Sequence, residues 1–64
     1  MAREKLIAFR KKQKLTQEET AELLGISASM YQALEYGYRQ PSIDTLNKFK
    51  AHFPKMNITD IFLD

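Results

Sequence analysis

A helix stop, Gly25, and a helix start, Ser27, stand two residues apart in Leu24-Gly25-Ile26-Ser27. Glycine enters the left-handed backbone region at no steric cost and so ends helices, whereas serine accepts from first-turn amides and so begins them. The segment before Gly25 opens with Thr16-Gln17-Glu18-Glu19. This is the pattern of a capping box, with the Thr16 hydroxyl accepting from the Glu19 amide and the Glu19 carboxylate reaching back to the Thr16 amide. The segment after Ser27 continues to Tyr36 and stops at Gly37. Two helices joined by about three residues force an abrupt change of direction. The spacing therefore predicts a helix-turn-helix over about 17–36, with the small Ala21 letting its two helices approach closely.

The flanking sequence predicts three more helices. Leu6, Phe9, Arg10 and Gln13 fall at helical spacing, which places a first helix over about Arg3–Gln13. After the loop Tyr38-Arg39-Gln40-Pro41, Ser42 caps a fourth helix whose inward positions are read as Ile43, Leu46, Phe49 and Phe53. Pro54 breaks that pattern, and Asn57 with Asp60 three residues on caps a short fifth helix carrying Ile58, Ile61 and Phe62. Met30, Phe9, Tyr31, Phe49, Phe53 and Phe62 sit at core spacing and are read as core. No segment reads as a strand, a repeat or a linker. The expected architecture is all-α: one compact five-helix domain over residues 1–64.

Composition limits what such a domain can do. The chain has 64 residues, 44% apolar, and no cysteine, so neither a disulfide nor a thiolate metal site supports it, and helix packing or self-association must. No apolar run approaches the roughly 20 residues needed to cross a bilayer, and the basic N-terminus lacks a signal-like apolar stretch. A cytoplasmic protein is expected. His52 is the single histidine, which does not make a zinc site. Ser27 and Ser42 stand at cap positions with no base beside them, so neither reads as a nucleophile. The expectation is a chain that is not an enzyme and holds no cofactor, metal or small-molecule ligand.

Charge and helical phase point elsewhere. Net charge is +2, yet Arg3, Lys5, Arg10, Lys11, Lys12 and Lys14 crowd the first segment against Glu4 alone. Such a cluster could face a polyanion, although taken alone it is more commonly a solvated helix face. On a wheel of about 100° per residue, Met30, Tyr31 and Leu34 share one side of the third helix, with Glu35 at its border. Ala28, Ser29, Gln32, Ala33 and Tyr36 share the other. That second face is small or polar and carries no acid, so it does not repel a phosphate backbone, and a helix of this kind fits the major groove of B-DNA, about 12 Å wide. The free amides at the start of the second helix, beside Gln17, form a seat for a phosphate.

The chain resembles the phage repressor and Cro-like helix-turn-helix domains, also called XRE-type. The resemblance spans nearly the whole chain. It rests on Leu15-Thr16-Gln17-Glu18-Glu19, Ala21-Glu22-Leu23-Leu24-Gly25-Ile26-Ser27, Leu34-Glu35-Tyr36-Gly37, and Arg39-Gln40-Pro41-Ser42 followed by Thr45-Leu46. It implies a five-helix, lambda-repressor-like bundle, bacterial or phage-encoded, that regulates transcription by binding double-stranded operator DNA, most often as a homodimeric repressor on an inverted repeat. Position by position, it implies base reading by Ala28, Ser29, Gln32 and Ala33, and backbone contacts by Gln17, Tyr36, Arg39 and Gln40. It further implies an ion pair between Arg10 and Glu35 that links the first and third helices. Self-association is expected through the C-terminal helix and exposed apolar side chains, namely Phe62, Leu63, Leu23 and Ile7. Thr20 and Tyr31 depart from the family pattern, where a larger aliphatic and a β-branched residue are usual. The alternative is a protein-interaction module, or an antitoxin-like component that uses the same fold to hold a protein partner.

Overall fold

Thr16 does what its sequence context demands. In the computed structural model, which describes residues 2–62, its Oγ1 accepts from the Glu19 amide at 3.0 Å and its own amide donates to Glu19 Oε1 at 2.8 Å. The box opens α2 (Gln17–Leu24), and Gly25 closes it in the left-handed region at φ +70°. Ser27 Oγ accepts from the Met30 amide at 3.0 Å and opens α3 (Ala28–Tyr36). Three residues therefore separate the two helices. Before them lies α1 (Glu4–Lys12); after them come α4 (Ile43–His52), capped by Ser42, and α5 (Ile58–Phe62). Asn57 Oδ1 accepts from the Asp60 amide at 3.0 Å at the start of α5. No strand occurs among the described residues. The five helices form a bundle 24 × 23 × 23 Å across, the all-helical architecture expected from the caps and spacings.

The core gathers Leu6 from α1, Ala21 and Leu24 from α2, Tyr31 and Leu34 from α3, Phe49 from α4, and Ile61 and Phe62 from α5. Met56, in the turn between α4 and α5, plugs the same core. The Phe9 and Phe53 rings meet edge to face at 5.3 Å, and Phe49 meets Phe62 at 5.3 Å. Aromatic pairs in these arrangements add to the burial of their area. With Ala21 buried, α2 presents little bulk toward α3, and the two helices pack directly.

Three side-chain placements differ from the sequence expectation. Ile43, expected inward, is 78% exposed. As the first residue of α4 it lies off the arc that faces the core, and the buried position in that turn is Thr45, whose amide bonds Ser42 Oγ. Gln13, expected on the inner stripe of α1, is exposed, since the helix ends at Lys12. Phe62, read both as a core aromatic and as a surface between copies, is only 7% exposed, which fits the first reading and not the second. It fills the gap between Phe49 and Arg3 in its own bundle, and the Arg3 guanidinium lies 5.5 Å from its ring centre. Leu63, named with it, lies outside the described residues.

Candidate nucleic-acid interface

The position of α3 is held from behind by a buried polar cluster. Arg10 Nε donates to Glu35 Oε2 at 2.5 Å, and Gln17 Nε2 donates to Glu35 Oε1 at 2.9 Å. Arg10 Nη1 reaches the Leu15 carbonyl at 2.9 Å. One carboxylate thus ties α1, α2 and the chain between them to α3, with Glu35 only 1% exposed and Arg10 12%. Burial pushes the Glu35 carboxyl up, but the bonds from Arg10 and Gln17 outweigh it and hold the group below its usual value. Tyr31 Oη is buried and has no hydrogen-bond partner. Burial first, and the nearby Glu35 carboxylate second, push that hydroxyl far above its ordinary range.

The far end of α3 is held by Arg3. Its Nη1 donates to the Leu34 carbonyl and to the Arg39 carbonyl, the latter at 2.9 Å, while Nη2 donates to Gln40 Oε1 at 2.8 Å. A guanidinium at the C-terminal carbonyls of a helix also complements the negative end of its dipole. Arg3 therefore fixes the loop after α3. The N-terminal basic cluster is accordingly not one surface: Arg3 and Arg10 turn inward, and Lys5 pairs with Asp60 at 2.9 Å. Lys11, Lys12 and Lys14 are exposed.

With its inner face occupied, α3 turns Ser29 and Tyr36 outward, with Ala28, Gln32 and Ala33 half-buried along the same side. The Ser29 hydroxyl and the Gln32 amide form no hydrogen bond with the protein among the described residues, and Glu35, the only charged side chain on α3, is buried. The result is a small, uncharged ridge with two unengaged polar groups. Beside it, Tyr36 and Tyr38 meet edge to face at 6.0 Å, Tyr38 is 80% exposed, and Arg39 projects into solvent. At the start of α2 the capping box consumes the Thr16 and Glu19 amides and leaves those of Gln17 and Glu18 unbonded.

The candidate residues thus fall into distinct groups. Ala28, Ser29, Gln32, Ala33 and Tyr36 share one ridge, and Arg39 stands at its end. Gln17 and Gln40 lie at the margins, but their side chains bond Glu35 and Arg3, so Gln17 offers outward only its main-chain amide. Arg3 is the residue that sequence reasoning misplaced. Its position just before α1, facing the end of α3, becomes evident only when the two helices are docked.

A family model described as helix-turn-helix matches residues 6–53. The chain belongs to the helix-turn-helix family. The match runs from the first core residue of α1 to the end of α4 and includes the whole α2–α3 unit; Arg3 and α5 lie outside it. Two curated helix-turn-helix proteins from Bacillus subtilis (strain 168) are similar. The HTH-type transcriptional regulator AnsR is 44% identical over 43 residues, which are 67% of this chain and 37% of AnsR. The uncharacterized HTH-type transcriptional regulator YqaE is 41% identical over 64 residues, all of this chain and 50% of YqaE. The chain spans half or less of the length of these relatives. No solved structure matches it significantly. Among the described residues, no helix is long and apolar enough to cross a membrane, and no cluster of histidine and acidic side chains is arranged to hold a metal ion.

Proposed function

We propose that this chain is a DNA-binding transcription regulator that inserts α3 into the major groove and represses by occupying an inverted-repeat operator as a homodimer. The observation that carries the reading is the outward ridge of α3, uncharged and with Ser29 and Gln32 unengaged, projected by the Gly25 turn in a chain of the helix-turn-helix family. Transcriptional regulation in the two relatives supports it. In this reading Gln32 and Ser29 hydrogen-bond base edges, and Ala28 and Ala33 meet thymine methyl groups. The Gln17 and Glu18 main-chain amides, Tyr36, Arg39 and the outward part of Gln40 contact phosphates. Two copies related by a twofold axis set their α3 helices about 34 Å apart, one turn of duplex.

Selection of bound duplexes from a random pool, followed by sequencing, tests the proposal directly. An enriched inverted repeat is expected at moderate salt; enrichment of no duplex counts against DNA binding and favours a module that holds a protein partner. Within an enriched site, Gln32→Ala is expected to relax preference at one or two positions, with a loss of about 1–3 kcal/mol at the cognate base and an unchanged salt slope. Unaltered preference in that variant would remove Gln32 from the reading face.

A further inference from the structure

Away from α3, a groove runs between α1 and the connection from α4 to α5. One part, about 570 Å³, lies between Lys5, Phe9 and Lys12 on α1 and Lys55 and Ile61 opposite. An adjoining hollow of about 250 Å³ shares Phe9 and Lys55 and adds Phe53. The floor is apolar, formed by the half-buried Phe9 and Phe53 rings in edge contact and by Ile61. The rim is basic. Lys12 and Lys55 are exposed and form no ion pair among the described residues, and the lone acid of the lining, Asp60, is engaged by Lys5. No residue of α2, α3 or the loop between α3 and α4 lines either part.

The complementary chemistry stands on α2 of the same chain. At about 100° per residue, Glu18, Glu22, Glu19 and Leu23 occupy one continuous arc of about 140°. All four are exposed, Leu23 by 43%. Glu19 serves the cap, whereas the Glu18 and Glu22 carboxylates have no partner among the described residues. An exposed leucine beside two unpaired carboxylates matches an apolar floor beside two unpaired ammonium groups.

We propose that the outer face of α2 of one copy docks in the α1–α5 groove of a second copy, with Leu23 on the Phe9–Ile61 floor and Glu18 and Glu22 against Lys12 and Lys55. The two surfaces are unlike, so the contact joins copies head to tail and is separate from a twofold pairing on an operator. It assigns Leu23 to this contact. The area is small, which makes the association weak, and the charge pairs make it sensitive to salt.

Sedimentation velocity of the chain without DNA tests it, from micromolar to millimolar concentration at low salt. The weight-average mass is expected to rise above the monomer value of 7.5 kDa and to return to it at about 0.5 M salt, where the Debye length is only a few ångströms. The double variants Lys12→Glu/Lys55→Glu and Glu18→Lys/Glu22→Lys are each expected to associate at least about tenfold more weakly. An equimolar mixture of the two, which restores opposite charges across the contact, is expected to regain association. Recovery in the mixture also shows that neither variant had simply unfolded. A wild-type chain that stays monomeric at millimolar concentration, charge reversals without effect, or a mixture that stays dissociated would each overturn the proposal. Because DNA is absent throughout, none of these results bears on whether α3 binds DNA, and the charge reversals with their mixture separate this contact from a twofold pairing.

Discussion

At position 35 a carboxylate with 1% of its side chain exposed faces an arginine and a glutamine, and most of the polar energetics of the domain pass through it. Replacing Glu35 with Gln leaves Arg10 buried beside a neutral amide, which is expected to cost about 3 kcal/mol in urea denaturation at neutral pH. The Glu35 carboxyl is held below its usual value, so in the acidic window the unfolded chain binds the proton that the folded chain refuses. Its stabilisation is complete above the unfolded value of about 4.3 and is lost as pH falls through the lower folded value. The difference between wild type and Glu35→Gln is therefore expected to shrink as pH is lowered from about 5 toward 3. A constant difference would show that the charge is not the origin.

Between elements, the turns after α2 and α1 adopt one backbone conformation with different residues. Gly25 leaves α2 at φ +70°, and Lys14, just after α1, lies at φ +61°. The first is the residue the geometry favours; the second is a lysine with a Cβ that the left-handed region penalises by about 1 kcal/mol. Lys14→Gly is therefore expected to stabilise the domain by about 0.5–1 kcal/mol and Gly25→Ala to destabilise it by a similar amount, both read from thermal melts. A Cβ at Gly25 meets nothing within 4 Å, so a loss at that position is purely backbone strain. The glycine turn was plain in the sequence because it carries its own stop signal. The Lys14 turn was not, because nothing about a lysine marks a left-handed position.

For the whole molecule, the question is how a ridge on one helix and a loop beyond it keep a fixed relation. Arg3 supplies the link, bonding the Leu34 and Arg39 carbonyls and the Gln40 side chain from more than 30 residues earlier in the chain. Arg3→Lys keeps the charge but loses the planar fork that reaches three acceptors. It is expected to cost about 1–2 kcal/mol of stability and to weaken operator binding without changing its dependence on salt. Arg39→Ala, which removes an exposed cation beside the α3 ridge, is expected to lower the salt slope by about 1. An Arg3→Ala variant whose slope falls as far as that of Arg39→Ala, read from binding isotherms at several salt concentrations, would place Arg3 on the phosphates instead.

The positions of the five helices were legible in the amino-acid order because caps and stops act within a few residues. Thr16 with Glu19, Ser27, Ser42 and Asn57 each satisfy an amide three positions on, wherever the rest of the chain lies. The two faces of α3 were legible for the same reason, since helical phase is local. Tertiary structure decided how residues at the borders of those faces are used. An arginine before α1 suits a polyanion as well as the end of a neighbouring helix, and a terminal phenylalanine suits a second copy as well as its own core. Only the docking of α1 and α5 against the rest buries Phe62 beside Phe49 and brings Arg3 to the carbonyls of α3. Ile43 follows the same logic in reverse: its side chain is apolar, but the angle at which α4 meets the bundle gives the inward place to Thr45 and leaves the isoleucine in solvent.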